Sequence, residues 1–195
     1  MQTFEVSDLG GPELENLCNF LPQNLQGLIL YNNTLTDNRT SVLSAVLKKL
    51  HNLKSLSLFH NHGLTSRGFK TLAETLKFHT NIHSFHLEDG ADILCGGAIE
   101  SLAQLTNLHH LRIRISTKIL KCDALQIKWT LIKTLEQLTE LRSLFICQDY
   151  KLTRNHLIWS KHDRLDVVKH LKLQHLQSFY FDDCFWSLHE FYNIV

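Results

Sequence analysis

Apolar residues recur along the chain in a fixed hexapeptide spacing, filling positions one, four and six. The copies read Leu25, Leu28, Leu30, then Leu53, Leu56, Leu58, then Ile82, Phe85, Leu87. They continue as Leu108, Leu111, Ile113, then Leu141, Leu144, Ile146, and then Leu176, Phe179, Phe181. Met1, Phe4 and Val6 form a weaker first copy. The starts fall near 1, 25, 53, 82, 108, 141 and 176, at intervals of 24, 28, 29, 26, 33 and 35 residues. Such a period marks a repeat array, in which each unit buries its apolar face only by stacking on its neighbours. Alternate side chains of an extended strand share a face, so positions four and six point inward and positions three and five outward. The spacing predicts parallel strands near 3–6, 27–30, 55–58, 84–87, 110–113, 143–146 and 178–181.

A second pattern follows each hexapeptide. Asn33 and Asn61 stand at position nine, where later copies carry Gly90, Ser116, Asp149 and Cys184. An Asn there can satisfy backbone groups as the chain leaves the strand. Helical spacing comes next: Val42, Leu43, Val46, Leu47 and Leu50 in one copy, Phe69, Leu72, Ala73 and Leu76 in another. Asn52, Asn81 and Asn107 close three of these segments.

These residues resemble the leucine-rich repeat family in its long, ribonuclease-inhibitor-like form. The match is closest over residues 25–81, with Gly68 where the helix begins; residues 82–107 carry Gly97 there and a shortened helix. Residues 108–175 keep the strands but lengthen the helical halves. The resemblance implies an α/β leucine-rich repeat solenoid of about seven repeats, one domain over 1–195. It is expected to form a curved horseshoe arc, with a parallel sheet on the concave face and helices on the convex face. Residues from about 185 to 195 are too few for a further repeat and are expected to form a C-terminal cap. Geometry agrees on the curve, because helices about 10 Å wide cannot stack in step with strands about 4.8 Å apart without bending the array.

In-register parallel strands set equal positions side by side. Position two reads Gln26, Lys54, His83, His109, Arg142 and Gln177, a basic column. Position three reads Gly27, Ser55, Ser84, His110, Ser143 and Ser178. Position five reads Ile29, Ser57, His86, Arg112, Phe145 and Tyr180, and position seven Tyr31, Phe59, Glu88, Arg114, Cys147 and Asp182. The middle repeats therefore concentrate His86, His110, Arg112 and Arg114, flanked by Tyr31, Phe59, Phe145 and Tyr180. Arg beside aromatic side chains is a composition that interface hot spots favour. These eight residues are the candidate binding site, with Lys54, His83, His109 and Arg142 as a basic column beside it. The neighbours His83 and His109 invite a metal, but Lys54 and Arg142 flank them and no carboxylate shares their column, so no metal is expected.

Composition narrows the chemistry further. Lys and Arg total 20 against 19 Asp and Glu, a formal net charge of +1, which argues against a general polyanion binder. The 13 His residues make the charge sensitive to pH below neutrality. Five Cys without a C-x-x-C pair suit a reducing compartment, and neither Cys147 nor Cys184 has an evident activating base. The opening residues lack the basic and apolar regions of a signal peptide, and no apolar run is long enough for a membrane span. His60-Asn61-His62 resembles a nuclease triplet only as letters, because the repeat already accounts for Asn61. Trp129 and Trp159 are expected in the core. No phosphate-binding loop, H-E-x-x-H or G-x-S-x-G occurs, so no catalytic residue and no cofactor is expected.

The expected function is a non-enzymatic scaffold, monomeric, that binds a partner protein through its concave face. The compact chain and its His-rich repeats also look similar to leucine-rich-repeat effectors of intracellular bacteria. That likeness implies a cytoplasmic protein, or one secreted without a classical signal peptide into a host cytosol. The alternative is a regulator or inhibitor of an enzyme, a nuclease or a small GTPase. The loops Tyr31–Leu35, Phe59–Leu64 and Glu88–Ile93 carry no Arg of the kind that GTPase-activating members of the resembled family use. A nucleic-acid-binding module ranks last, given the near-neutral charge and the interspersed Glu88, Asp182 and Asp183.

Overall fold

The computed structural model describes residues 2–9, 11–33, 35–88, 98–115, 124–148, 175–181 and 184–186. Their strands form one sheet in chain order: β1 (Thr3–Ser7), β2 (Gly27–Tyr31), β3 (Ser55–Phe59), β4 (Ser84–Glu88), β5 (His110–Ile115), β6 (Ser143–Gln148), β7 (Ser178–Phe181) and β8 (Cys184–Trp186). The first seven pair in parallel, each beginning where the hexapeptide spacing predicts. Helical segments carry the chain back between strands: α1 (Gly11–Phe20), α2 (Thr40–Lys49) after a 3₁₀ turn, α3 (Ser66–Leu76) and α4 (Ala124–Leu135). The shortened fourth segment, between β4 and β5, is a 3₁₀ helix over Ile99–Gln104. The result is an α/β array in which strands and helical segments alternate in chain order, with the helices packed against one face of the sheet.

One continuous core explains the arrangement. Leu28, Leu30, Leu56, Leu58, Phe85, Leu87, Leu111, Ile113, Leu144 and Ile146 point from the strands into it, and Leu43, Leu47, Phe69, Leu72 and Leu76 meet them from the helices. All are buried. Each side chain stacks on its counterparts in the adjacent strands, so every repeat depends on its neighbours.

The strand exits show why the turn is sharp. Asp8, Asn32 and His60, all at position eight, take left-handed backbone angles with φ of 56°, 50° and 53°. Asp, Asn and His tolerate that region better than other residues with a Cβ. Asn33 at position nine then donates to the Val6 carbonyl at 3.1 Å and accepts from the Leu9 N–H at 2.8 Å. Asn61 donates to the carbonyls of Leu30 and Phe59, each at 3.0 Å. The Asn role expected from the sequence therefore holds in these two repeats. Gly90, Ser116 and Asp149 lie outside the described residues.

Two expectations need correcting. The sheet is not wholly parallel: β8 runs antiparallel to β7, setting Phe179 opposite Trp186 and Phe181 opposite Cys184. A short reversal covers the last parallel strand with three residues where a full crossover would need a dozen or more. The remainder of the expected cap, residues 187–195, lies outside the described residues. Trp129 is not in the core but 42% exposed, because Ile127, Leu131 and Ile132 take the inward face of α4. Trp159 lies outside the described residues.

One inter-repeat contact holds a helix start in place. Asp37 accepts from the Thr65 N–H at 2.9 Å, the Thr65 hydroxyl at 2.6 Å and the Gly68 N–H at 3.1 Å. Burial alone would raise the Asp37 carboxyl; these hydrogen bonds, with Arg67 nearby, hold it below its ordinary value. Its contribution is thus present above the unfolded carboxyl value and is lost as the pH falls through the folded one. A Cβ at Gly68 would overlap Asp37 Oδ1 and come within 2.8 Å of Leu64 Cδ1. Gly68→Ala is expected to cost about 1–3 kcal/mol by displacing that carboxylate. Urea unfolding with an unchanged midpoint would contradict the capping role.

Candidate functional site

The outward face of the sheet is aligned by its backbone. At each strand start, the carbonyl of position two accepts two N–H groups from the next strand. Lys54 O takes those of His83 and Ser84, His83 O those of His109 and His110, and His109 O those of Arg142 and Ser143, at 2.8–3.1 Å. The basic column is thereby locked in register. His83 and His109 stack face to face, with ring centroids 4.7 Å apart and planes 9° from parallel. His83 Nδ1 lies 3.1 Å from the Asn107 carbonyl, so that nitrogen carries the proton. In parallel rings the in-plane nitrogen lone pairs run side by side and do not converge on one ion. Among the described residues, no group of three His, Cys, Asp or Glu side chains gathers where it could hold a metal.

Position five forms a second row. His86, Arg112, Phe145 and Tyr180 are consecutive register partners from β4 to β7. The Arg112 guanidinium lies 4.3 Å from the Phe145 ring centroid, and Phe145 stacks on Tyr180 at 4.3 Å with the planes 5° apart. Arg112 is exposed and Phe145 half-buried. His86 lies between two hydroxyls, Ser57 Oγ at 3.2 Å from Nδ1 and Ser84 Oγ at 3.4 Å from Nε2, with the Phe59 ring 6.0 Å away. Burial, Arg112 and His110 lower the His86 pKa from its ordinary value. Burial, Arg142, His83 and His110 lower that of His109, against a small opposing pull from Glu140.

No family model matches the chain, and no curated protein matches it. Among solved structures it is similar to an LRR protein of Leptospira interrogans. The two share 16% identity at a TM-score of 0.45, over 93% of this chain and 43% of that one. The chain thus spans less than half the length of that structure.

The predicted residues do not form a single cluster. His86, His110, Arg112 and Phe145 make the centre, with Tyr180 at its far end. Arg114 is half-buried and is the register partner of Glu88, so it belongs to a mixed-charge column and not to the basic field. Tyr31 and Phe59 sit toward the strand exits, where Tyr31, 42% exposed, packs edge-on against His60 at 5.1 Å. His60 in turn lies 6.0 Å from His62. Sequence reading set these two histidines aside; position eight of the repeat was the signal that placed His60 beside Tyr31. No helix among the described residues is long and apolar enough to cross a membrane.

Proposed function

We propose that the chain is a non-enzymatic scaffold that binds a protein partner across the concave face of its sheet. The observation that carries this reading is the ordered row Arg112–Phe145–Tyr180. An exposed Arg and half-buried aromatic side chains already held against one another lose little freedom on binding, which is how a few central residues come to dominate an interface. Seven parallel strands span about 29 Å, enough for a footprint of roughly 800 Å² on each partner. The five cysteines suit a reducing compartment, a cytoplasm or a host cytosol.

The test is a histidine footprint. A partner captured from lysate is added to the full chain, which is then labelled with diethylpyrocarbonate and read by mass spectrometry. Protection is expected at His83, His109 and His110 along the strand starts, with His51 in the turn after α2 still labelled. Protection of His51 with the sheet histidines unchanged would place the partner on the helical side.

A further inference from the structure

The second, third and fifth columns of β2–β7 contain no Asp or Glu, although the chain as a whole is nearly neutral. They carry Lys54, Arg142 and Arg112 together with His83, His86, His109 and His110. Carboxylates border this field: Glu5 lies on β1, Glu88 in the seventh column and Glu140 in the turn before β6. Within these three columns the charge on β3–β6 is therefore all positive, while other cations such as Lys48 and Lys70 lie on the helical side.

From this segregation we infer that the basic field of β3–β6 receives an acidic segment of a partner protein, and that its docking takes up a proton at His109, whose ring stacks on His83. The inference rests on the sheet face being the binding surface. Three steps of the basic column, from Lys54 to Arg142, cover about 14 Å, the length of about five extended residues. Alternate acidic side chains of such a segment face the sheet together. The aromatic row supports a carboxylate over a nucleic acid. Single strands bind on open ring faces, but Phe145 has Arg112 against one face and Tyr180 against the other. Its exposed part is the ring edge, which carries partial positive charge and favours oxygen acceptors.

The proton uptake follows from the stack. Two imidazolium rings 4.7 Å apart repel each other, and the surrounding charges add to the penalty. Around His109 these are His83 just before β4, His110 of β5, and Arg142 and Glu140 before β6, of which only Glu140 favours the charged ring. Lys54, just before β3, is the neighbour of His83 on the other side. His109 thus resists protonation in the free protein, and a carboxylate laid beside it relieves the repulsion. A group charged more readily in the complex than in the free protein makes binding tighten as the pH falls.

The test uses the full chain and two fluorescein-labelled probes, a decapeptide of alternating Glu and Gly and a deoxythymidine decamer. Anisotropy is read at pH 7.5, 6.5 and 5.5, where Glu stays ionised. The peptide is expected to bind about tenfold more tightly at pH 5.5 than at 7.5 and to be released by salt. His83→Gln with His109→Gln is expected to lose most of the gain between pH 7.5 and pH 5.5, whatever its affinity at pH 7.5. Circular dichroism checks that the variant is folded, and His109→Gln alone gives the same comparison if it is not. Absence of peptide binding, a gain that survives in the folded variant, or tighter binding of the decamer overturns the inference. If a natural partner protects the sheet histidines yet is not displaced by the peptide, the acidic segment is refuted while the sheet-face reading stands.

Discussion

Phe85→Ala is expected to lower the free energy of unfolding by about 3–5 kcal/mol, the range for removing a large aromatic side chain from a packed core. Phe85 points inward from the middle of β4 and is fully buried. Its ring meets that of Phe69 from α3 at 6.1 Å, and its register partners are Leu56 and Leu111 in the adjacent strands. Neighbours on both sides and above are held by their own repeats, so the cavity cannot close without shifting three units at once. In a stacked array the loss also weakens the two shared interfaces, and unfolding should become less cooperative. Urea titration followed by circular dichroism measures this. Phe85→Leu, which keeps most of the volume, should cost less than about 1.5 kcal/mol. A loss below 1 kcal/mol for the Ala variant would show that Phe85 is not a core residue.

The strands were legible because their period is short and their inward face is apolar throughout. Leu28, Leu56, Phe85, Leu111, Leu144 and Phe179 are register partners across successive strands, as the hexapeptide spacing requires. The outward columns follow from the same register, which sets His83 beside His109 and Arg112 beside Phe145. Ring geometry was not legible, because stacking at 4.7 Å and 4.3 Å depends on side-chain rotation and not on spacing. Trp129 was misplaced because a Trp within an apolar helix is indistinguishable by composition from its buried neighbours. Asp37 was missed because its partners, Thr65 and Gly68, belong to the next repeat. The antiparallel β8 left no signal in the period, since it departs from the repeat altogether.

Arg112→Ala combined with Phe145→Ala is expected to weaken partner binding by about 2–4 kcal/mol, roughly thirty- to a thousandfold in Kd. Arg112 supplies a fork of donors and Phe145 the adjoining ring, and each holds the other in place at 4.3 Å. Removing both leaves Tyr180 without its stacking partner and His86 without its cationic neighbour. Neither side chain reaches the core, so the fold should survive; the lost aromatic pair is worth about 0.5–1.5 kcal/mol. Lys48→Ala with Lys70→Ala is the matched control, because both residues are exposed on the helical side.

The decisive measurement is calorimetric titration of one purified partner against the parent chain and these two double variants, each checked for folding by circular dichroism. Loss of binding in Arg112→Ala/Phe145→Ala, with parental affinity in Lys48→Ala/Lys70→Ala, is the result expected if the concave face is the binding surface. Parental affinity in the first and loss in the second would contradict that claim and move the interface to the helices.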